Sequence, residues 1–347
     1  MIQFAIALAL VGIPNPTLAS VFSITNRTST LPGITEPLAN ALENTVNTVL
    51  FPMGFEKNFL SAMGNANAVS TRSMSTNPIT DWKTISITAQ AGAALQIPKK
   101  GQAGAAPRQN ALPALGLGAQ SSLSVGFPAK SIISDSTFLG LPTDRVNLFG
   151  NFMALNLNNA IPKTKLQFFH LGVGGQYRWI PREDYHFLFS WEGINLNSGA
   201  QIAVFSGTYR TPLNFSSSLS GVNMSYISDV DLTVNSSVLT IPFDATTGIT
   251  FFRFLSIYSG LGVDLNFGRT TLDGGVVGKV TAENAGTEVF TGTGTFDVSD
   301  KQSAPPLLNV RMLGGLQFNF WAAKLFVQAA ISSPGTLGFL AGLRAAW

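Results

Sequence analysis

From Trp82 to the C-terminus, apolar and polar residues alternate with period two, the signature of strands whose two faces meet unlike surroundings. The alternation is clearest over residues 85–95, 115–127, 169–179, 255–267, 308–318, 323–331 and 337–347. In one of these, Leu255, Ile257, Leu261, Val263, Leu265 and Phe267 alternate with Tyr258, Gly260, Gly262, Asp264 and Asn266. Weaker segments cover 146–156, 185–195, 201–211, 222–234, 236–243, 271–283 and 288–298. Their lengths lie near the roughly 9–11 residues that a tilted strand needs to cross a bilayer.

Residues 20–80 lack this pattern. Leu38, Leu42, Val46, Val49 and Leu50 fall on one face of a helix predicted over 36–50, with Thr35 as its cap and Pro37 in its first turn. A second short apolar-faced segment follows over 55–63, and then a small, polar tract over 64–78. This region reads equally as a plug threaded into a lumen or as a periplasmic helix pair with a linker. Ahead of it, 4–13 (FAIALALVGI) forms a short apolar core with Thr17-Leu18-Ala19 after it, so a signal peptide over 1–19 is expected. No basic residue precedes that core, which is atypical of such a signal. The expected organisation is 1–19 signal peptide, 20–80 helical or plug segment, and 81–347 barrel.

Composition decides what the sheet faces. Charged residues are 11% and mean hydropathy is +0.26, whereas about a quarter of a soluble domain is charged. Beyond the N-terminus no apolar run approaches the roughly 20 residues of a spanning helix. A lipid-facing chain without such runs satisfies its backbone as a closed barrel. The expected fold is therefore all-β, a transmembrane antiparallel β-barrel of a Gram-negative outer membrane. Fourteen segments and the preference for even numbers predict about 12–14 strands. The charges test the strand faces, because His170, Arg178, Asp264, Arg311, Lys324 and Arg344 all fall on the polar side. An Arg or Lys in mid-bilayer lipid would cost about 2–4 kcal/mol.

The last segment, L-G-F-L-A-G-L-R-A-A-W, resembles the terminal assembly signal of the outer-membrane β-barrel superfamily. That resemblance implies an amphipathic final strand with a terminal aromatic, read by the barrel-assembly machinery. Leu337, Phe339, Leu343 and Trp347 would carry it. Residues 112–127, 172–181 and 258–262 resemble an uncharacterised family of bacterial outer-membrane barrels. A non-barrel segment ahead of the strands is similar in architecture to the long-chain fatty-acid transporter family.

Little catalytic chemistry is present. There are two histidines, His170 and His186, and no cysteine, which excludes disulfides, thiol catalysis and thiolate metal sites. No H-E-x-x-H, G-x-S-x-G or phosphate loop occurs. Neither an enzyme nor a cofactor or metal is expected. A formal charge of +3 without a basic stripe gives no reason to expect nucleic acid. The candidate lumen-lining residues are His170, Gln176, Arg178, Tyr258, Asp264, Arg311, Lys324 and Arg344. They suit an internal salt-bridge network or the lining of a path for an anionic or amphipathic solute. Two functions follow. The first is porin-like passive transport of a small amphipathic or hydrophobic solute through a partly obstructed lumen. The second is a structural or surface-binding barrel. Expected partners are outer-membrane lipid, the assembly machinery and such a solute.

Overall fold

The alternating segments close into one antiparallel ring. The computed structural model describes residues 22–30, 35–49, 55–72, 85–96, 116–158, 164–185, 188–219, 222–284, 286–297, 301–333 and 335–346. The segment expected as a signal peptide, His186 and Trp347 lie outside them. The described strands are β1 (Ser23–Ser29), β2 (Ser86–Gln96), β3 (Gly116–Pro128), β4 (Thr137–Phe138), β5 (Leu141–Pro142), β6 (Val146–Asn158), β7 (Thr164–Ile180) and β8 (Glu183–Tyr185). They continue as β9 (Phe189–Leu219), β10 (Val222–Phe251), β11 (Leu255–Asn284), β12 (Thr287–Asp297), β13 (Lys301–Ser303), β14 (Leu308–Phe320), β15 (Ala323–Ser332) and β16 (Thr336–Ala346). Two helices, α1 (Thr35–Val49) and α2 (Phe55–Arg72), precede β2.

Around the ring the order is β2, β3, β6, β7, β9, β10, β11, β14, β15 and β16, which returns to β2. The last strand thus pairs with the first of the ring, Thr336 opposite Gln96 through Ala346 opposite Ser86. Closure leaves no free edge along that seam, which a bilayer demands. The described ring has ten strands, not twelve to fourteen, because three pairs of expected segments are single long strands. Residues 185–195 and 201–211 merge into β9, 222–234 and 236–243 into β10, and 255–267 and 271–283 into β11. The segment expected over 288–298 is β12, which lies outside the ring.

The long strands run out of the membrane belt at the end of the ring opposite Ala346, here termed the far end. Their apolar face changes sides on the way. Low on β11, Ile257 and Leu261 (64% exposed) face outward while Tyr258 (2%) and Asp264 face inward. Higher up, Leu272, Val276 and Val280 are buried inward while Asp273, Lys279 and Glu283 occupy the outer side. A strand leaving lipid for water has to make this exchange, since its outer face then needs polar residues. The far parts of β9, β10 and β11 continue into β12 and β1. Phe22, Ile24, Ala39 of α1, Leu60 of α2, Met224, Tyr226, Leu272, Val276, Val280 and Phe290 form the buried core beneath this far layer.

Candidate functional site

The interior of the ring is where the polar faces converge, and α2 occupies its far half. The helix packs against β2, β3, β9, β10, β11, β13 and β16. Every side chain from Ala62 to Ser70 is buried. An α-helix with side chains is about 10–12 Å across, and a barrel of about eight strands is already filled by its own side chains. A helix fits a ring only slightly larger when its side chains are small, and G-N-A-N-A-V-S supplies them. The approach is close at Gly118 of β3, where a Cβ would lie 2.3 Å from the Ala66 carbonyl oxygen. Only glycine admits the helix backbone there.

Two asparagines tie the helix to the wall. Asn65 Nδ2 donates to Gln96 Oε1 at 2.7 Å and to Thr336 Oγ1 at 2.6 Å. Its amide also meets that of Asn309 at 2.5 Å. Asn67 Nδ2 donates to Ser236 Oγ at 3.2 Å, and Gln120 Nε2 donates to Asn67 Oδ1 at 3.0 Å. These bonds join α2 to β2, β3, β10, β14 and β16. The sequence reading ended its apolar segment at residue 63 and took the following tract for a linker or threaded coil. The helix instead runs on to Arg72. Surrounded by polar wall, its second half has no need of an apolar stripe.

A charged row lies nearer the Ala346 end. Asp244 of β10 stands opposite Gly262 of β11, and Gly262 stands opposite Arg311 of β14. With no side chain between them, Arg311 Nη2 reaches Asp244 Oδ1 at 2.5 Å. Arg311 Nε lies 3.5 Å from Asp264 Oδ2, and all three side chains are fully buried. Asp244 was not singled out from sequence. It lies one residue past the segment expected over 236–243.

The sequence-predicted lining residues all lie on the inner face. His170, Gln176, Tyr258, Asp264, Arg311, Lys324 and Arg344 are buried, and Arg178 is half-buried. They do not gather at one place. Asp264 and Arg311 meet through the row just described. Lys324 and Arg344 stand opposite each other on β15 and β16, with Arg344 Nε donating to Thr88 Oγ1 at 3.1 Å. Tyr258 packs with Leu313 and Ala330 and donates to the Val327 carbonyl at 3.4 Å. His170 stands across from Met153 and Ala203 on β7, and Gln176 from Asn147 and Asn197. Of the expected assembly residues, Phe339 and Leu343 are exposed on the outer face and Leu337 is half-buried there. No group of three or more metal-ligating side chains occurs among the described residues.

The profile of the Lsa36-like family matches residues 18–347. This chain belongs to the Lsa36-like family. A comparison with curated proteins finds no match. Among solved structures, the translocator domain of autotransporter NalP from Neisseria meningitidis is similar at 10% identity and TM-score 0.34, covering 81% of this chain and 92% of that one. The toluene transporter TodX from P. putida is similar at 8% identity and TM-score 0.26, covering 83% of this chain and 98% of that one. LpxR from Salmonella typhimurium is similar at 9% identity and TM-score 0.24, covering 75% and 100%. The closed ring has an apolar outer belt. No described helix is long and apolar enough to cross a membrane. This Lsa36-like chain is a closed antiparallel β-barrel whose apolar outer belt suits a bilayer.

The far layer of the Lsa36-like barrel has its own clasp, which sequence reading missed. Asn26 takes a positive φ of 52°, and the β1–β12 register shifts between Thr25 and Thr28. Arg27, inside that bulge, pairs with Glu36 at 2.5 Å and Glu43 at 2.6 Å, both on α1. Glu43 Oε1 also accepts from the Ile24 backbone N–H at 2.6 Å. The clasp fixes α1 against β1 over the core that Phe22 and Ile24 begin.

Proposed function

We propose that the barrel is a closed membrane anchor that holds the far layer at the outer surface of the cell, where that layer binds a partner. One observation carries this reading: α2 is hydrogen-bonded into the interior of the ring. The helix would act there as a permanent plug, and the buried charged row fills space below it. The orientation follows from the strand ends. Outer-membrane barrels place short turns in the periplasm and longer excursions outside. The long extensions of β9, β10 and β11 lie at the far end, whereas the Ala346 end carries the turns at 252–254 and 321–322 and one longer connection, 129–145. The residues before β2 would then reach the outside through the ring. No catalytic role is assigned.

Passive transport of a small apolar or amphipathic solute is a second reading. It is favoured by one irregularity in the wall, the short seam between β3 and β6.

Cysteine substitution tests the orientation in a chain that has no native cysteine. Asn40→Cys on α1 should react with a membrane-impermeant maleimide in intact cells. Lys130→Cys, exposed at the Ala346 end, should react only after the outer membrane is permeabilised. The reverse pattern would overturn the proposal.

A further inference from the structure

Among the described residues, the wall of the ring is incomplete between β3 and β6. β3 and β6 pair only from Leu123 opposite Phe152 to Pro128 opposite Asn147. Yet β3 continues along β2 from Gly126 to Gly116, and β6 continues along β7 to Asn158. The far half of this seam therefore has two edges that do not pair with each other. Bare edges are not tolerated in hydrocarbon but are tolerated where protein buries them or water reaches them.

The wall beside the open seam has an inverted polarity. On its inner face, Met153, Leu155 and Leu157 of β6, Leu166 and Phe168 of β7 and Phe205 of β9 are all half-buried. They form a continuous patch: Leu155 stands opposite Phe168, Leu157 opposite Leu166, and Phe168 opposite Phe205. The Phe168 and Phe205 rings lie 5.2 Å apart. On the outer face at the same height, Asn156, Asn158, Lys165 and Gln167 are exposed. The patch therefore lines a cup at the level where lipid gives way to water.

Two boundaries of the cup indicate what occupies it. Beyond Phe205 the inner face continues through Gly207, which stands opposite Val234. Val234 and Leu232 already pack against the far-layer core, so the cup extends a covered apolar surface. On the other side it ends at the open seam, whose outer rim is Leu123, Phe152 and Phe169, all exposed toward lipid. Apolar surface runs from the membrane, through the gap, to the inner patch.

We propose that this cup is a binding site for an acyl chain of a membrane lipid, admitted sideways through the far half of the β3–β6 seam. The site needs no movement of α2, and it stands whether the barrel displays a partner-binding layer or transports a solute.

Photo-cross-linking in the full-length protein tests it. Benzoylphenylalanine is placed at Leu157 inside the cup, at Phe152 on the lipid face as a positive control, and at Asn158 on the polar face as a negative one. Each variant is reconstituted in phosphatidylcholine vesicles, and folding is checked by heat-modifiable migration on gels. Phospholipid adducts are expected at Leu157 and Phe152 and not at Asn158. The seam is then closed in the same background. Continuing the register past Leu123 and Phe152 brings Ser121 and Ala154 together on the outer face. Ser121→Cys and Ala154→Cys joined by a short bis-maleimide should abolish the adduct at Leu157 and leave that at Phe152 intact. A Leu157 probe that captures only a peptide of its own chain, or no lipid while Phe152 does, overturns the proposal. So does a Leu157 adduct that survives closure of the seam.

Discussion

Replacing Gly262 with alanine should unfasten the charged row without touching a charged residue. The added Cβ would lie 1.9 Å from Asp244 Oδ1 and 3.0 Å from Asp244 Cγ. Both are too close, so the carboxylate must swing away and lose its 2.5 Å bond to Arg311. A hydrogen bond to a charged group contributes about 1.5–3 kcal/mol. Removing one partner of a buried pair outright costs about 3–5 kcal/mol. Asp264 stays within 3.5 Å of Arg311, so the arginine keeps one carboxylate beside it. The expected loss for Gly262→Ala is thus about 1.5–3 kcal/mol, the range for a charged hydrogen bond. Arg311→Leu should cost more, because it removes the cation that both buried carboxylates face. Urea unfolding in vesicles measures the difference. The decisive comparison is a cycle with Asp244→Ala. With the Asp244 carboxylate gone, only the Phe243 carbonyl oxygen at 3.1 Å stays close, so Gly262→Ala should cost clearly less, and the two substitutions should couple by about 0.5–3 kcal/mol. An equal cost in both backgrounds would refute the reasoning, as would a loss within measurement error in the native one.

Two further outcomes are expected. Ala341→Arg puts a cation on the exposed face of β16 at about 2–4 kcal/mol if it lies mid-bilayer; it should impair heat-modifiable assembly in the outer membrane, whereas Arg344→Gln on the inner face should assemble. Arg27→Ala removes both ion pairs to α1 and should render residues 22–49 sensitive to protease while the ring keeps its heat-modifiable migration.

The faces of the ring strands are legible because lipid and interior demand opposite residues at alternate positions. Ile257, Leu261, Tyr258 and Asp264 all point where their parity puts them. The reading falters where that demand changes. Past Gln201, β9 turns Phe205 inward, and β10 carries Leu232 and Val234 inward above Ser236. The apolar face changes sides at the membrane boundary, so each long strand reads as two short ones and the strand number is overcounted. The second half of α2 was illegible for a different reason. A helix gives a periodic stripe when one side meets a core and the other meets water. Residues 62–70 are buried on all sides, and their sequence records only that they are small and can hydrogen-bond. Asp244 illustrates a third limit: its partner is set by two strand registers, and a missing side chain at Gly262 makes the contact.

The proposed plugging of the ring by α2 is tested most directly by ion current through single molecules. The full-length protein in a planar bilayer should show no steady open-channel current. Asn65→Ala with Asn67→Ala removes the side-chain bonds from the helix to β2, β3, β10, β14 and β16, and the folded variant should show channel openings. A steady current through the unmodified protein, unchanged in the double variant, would contradict the account.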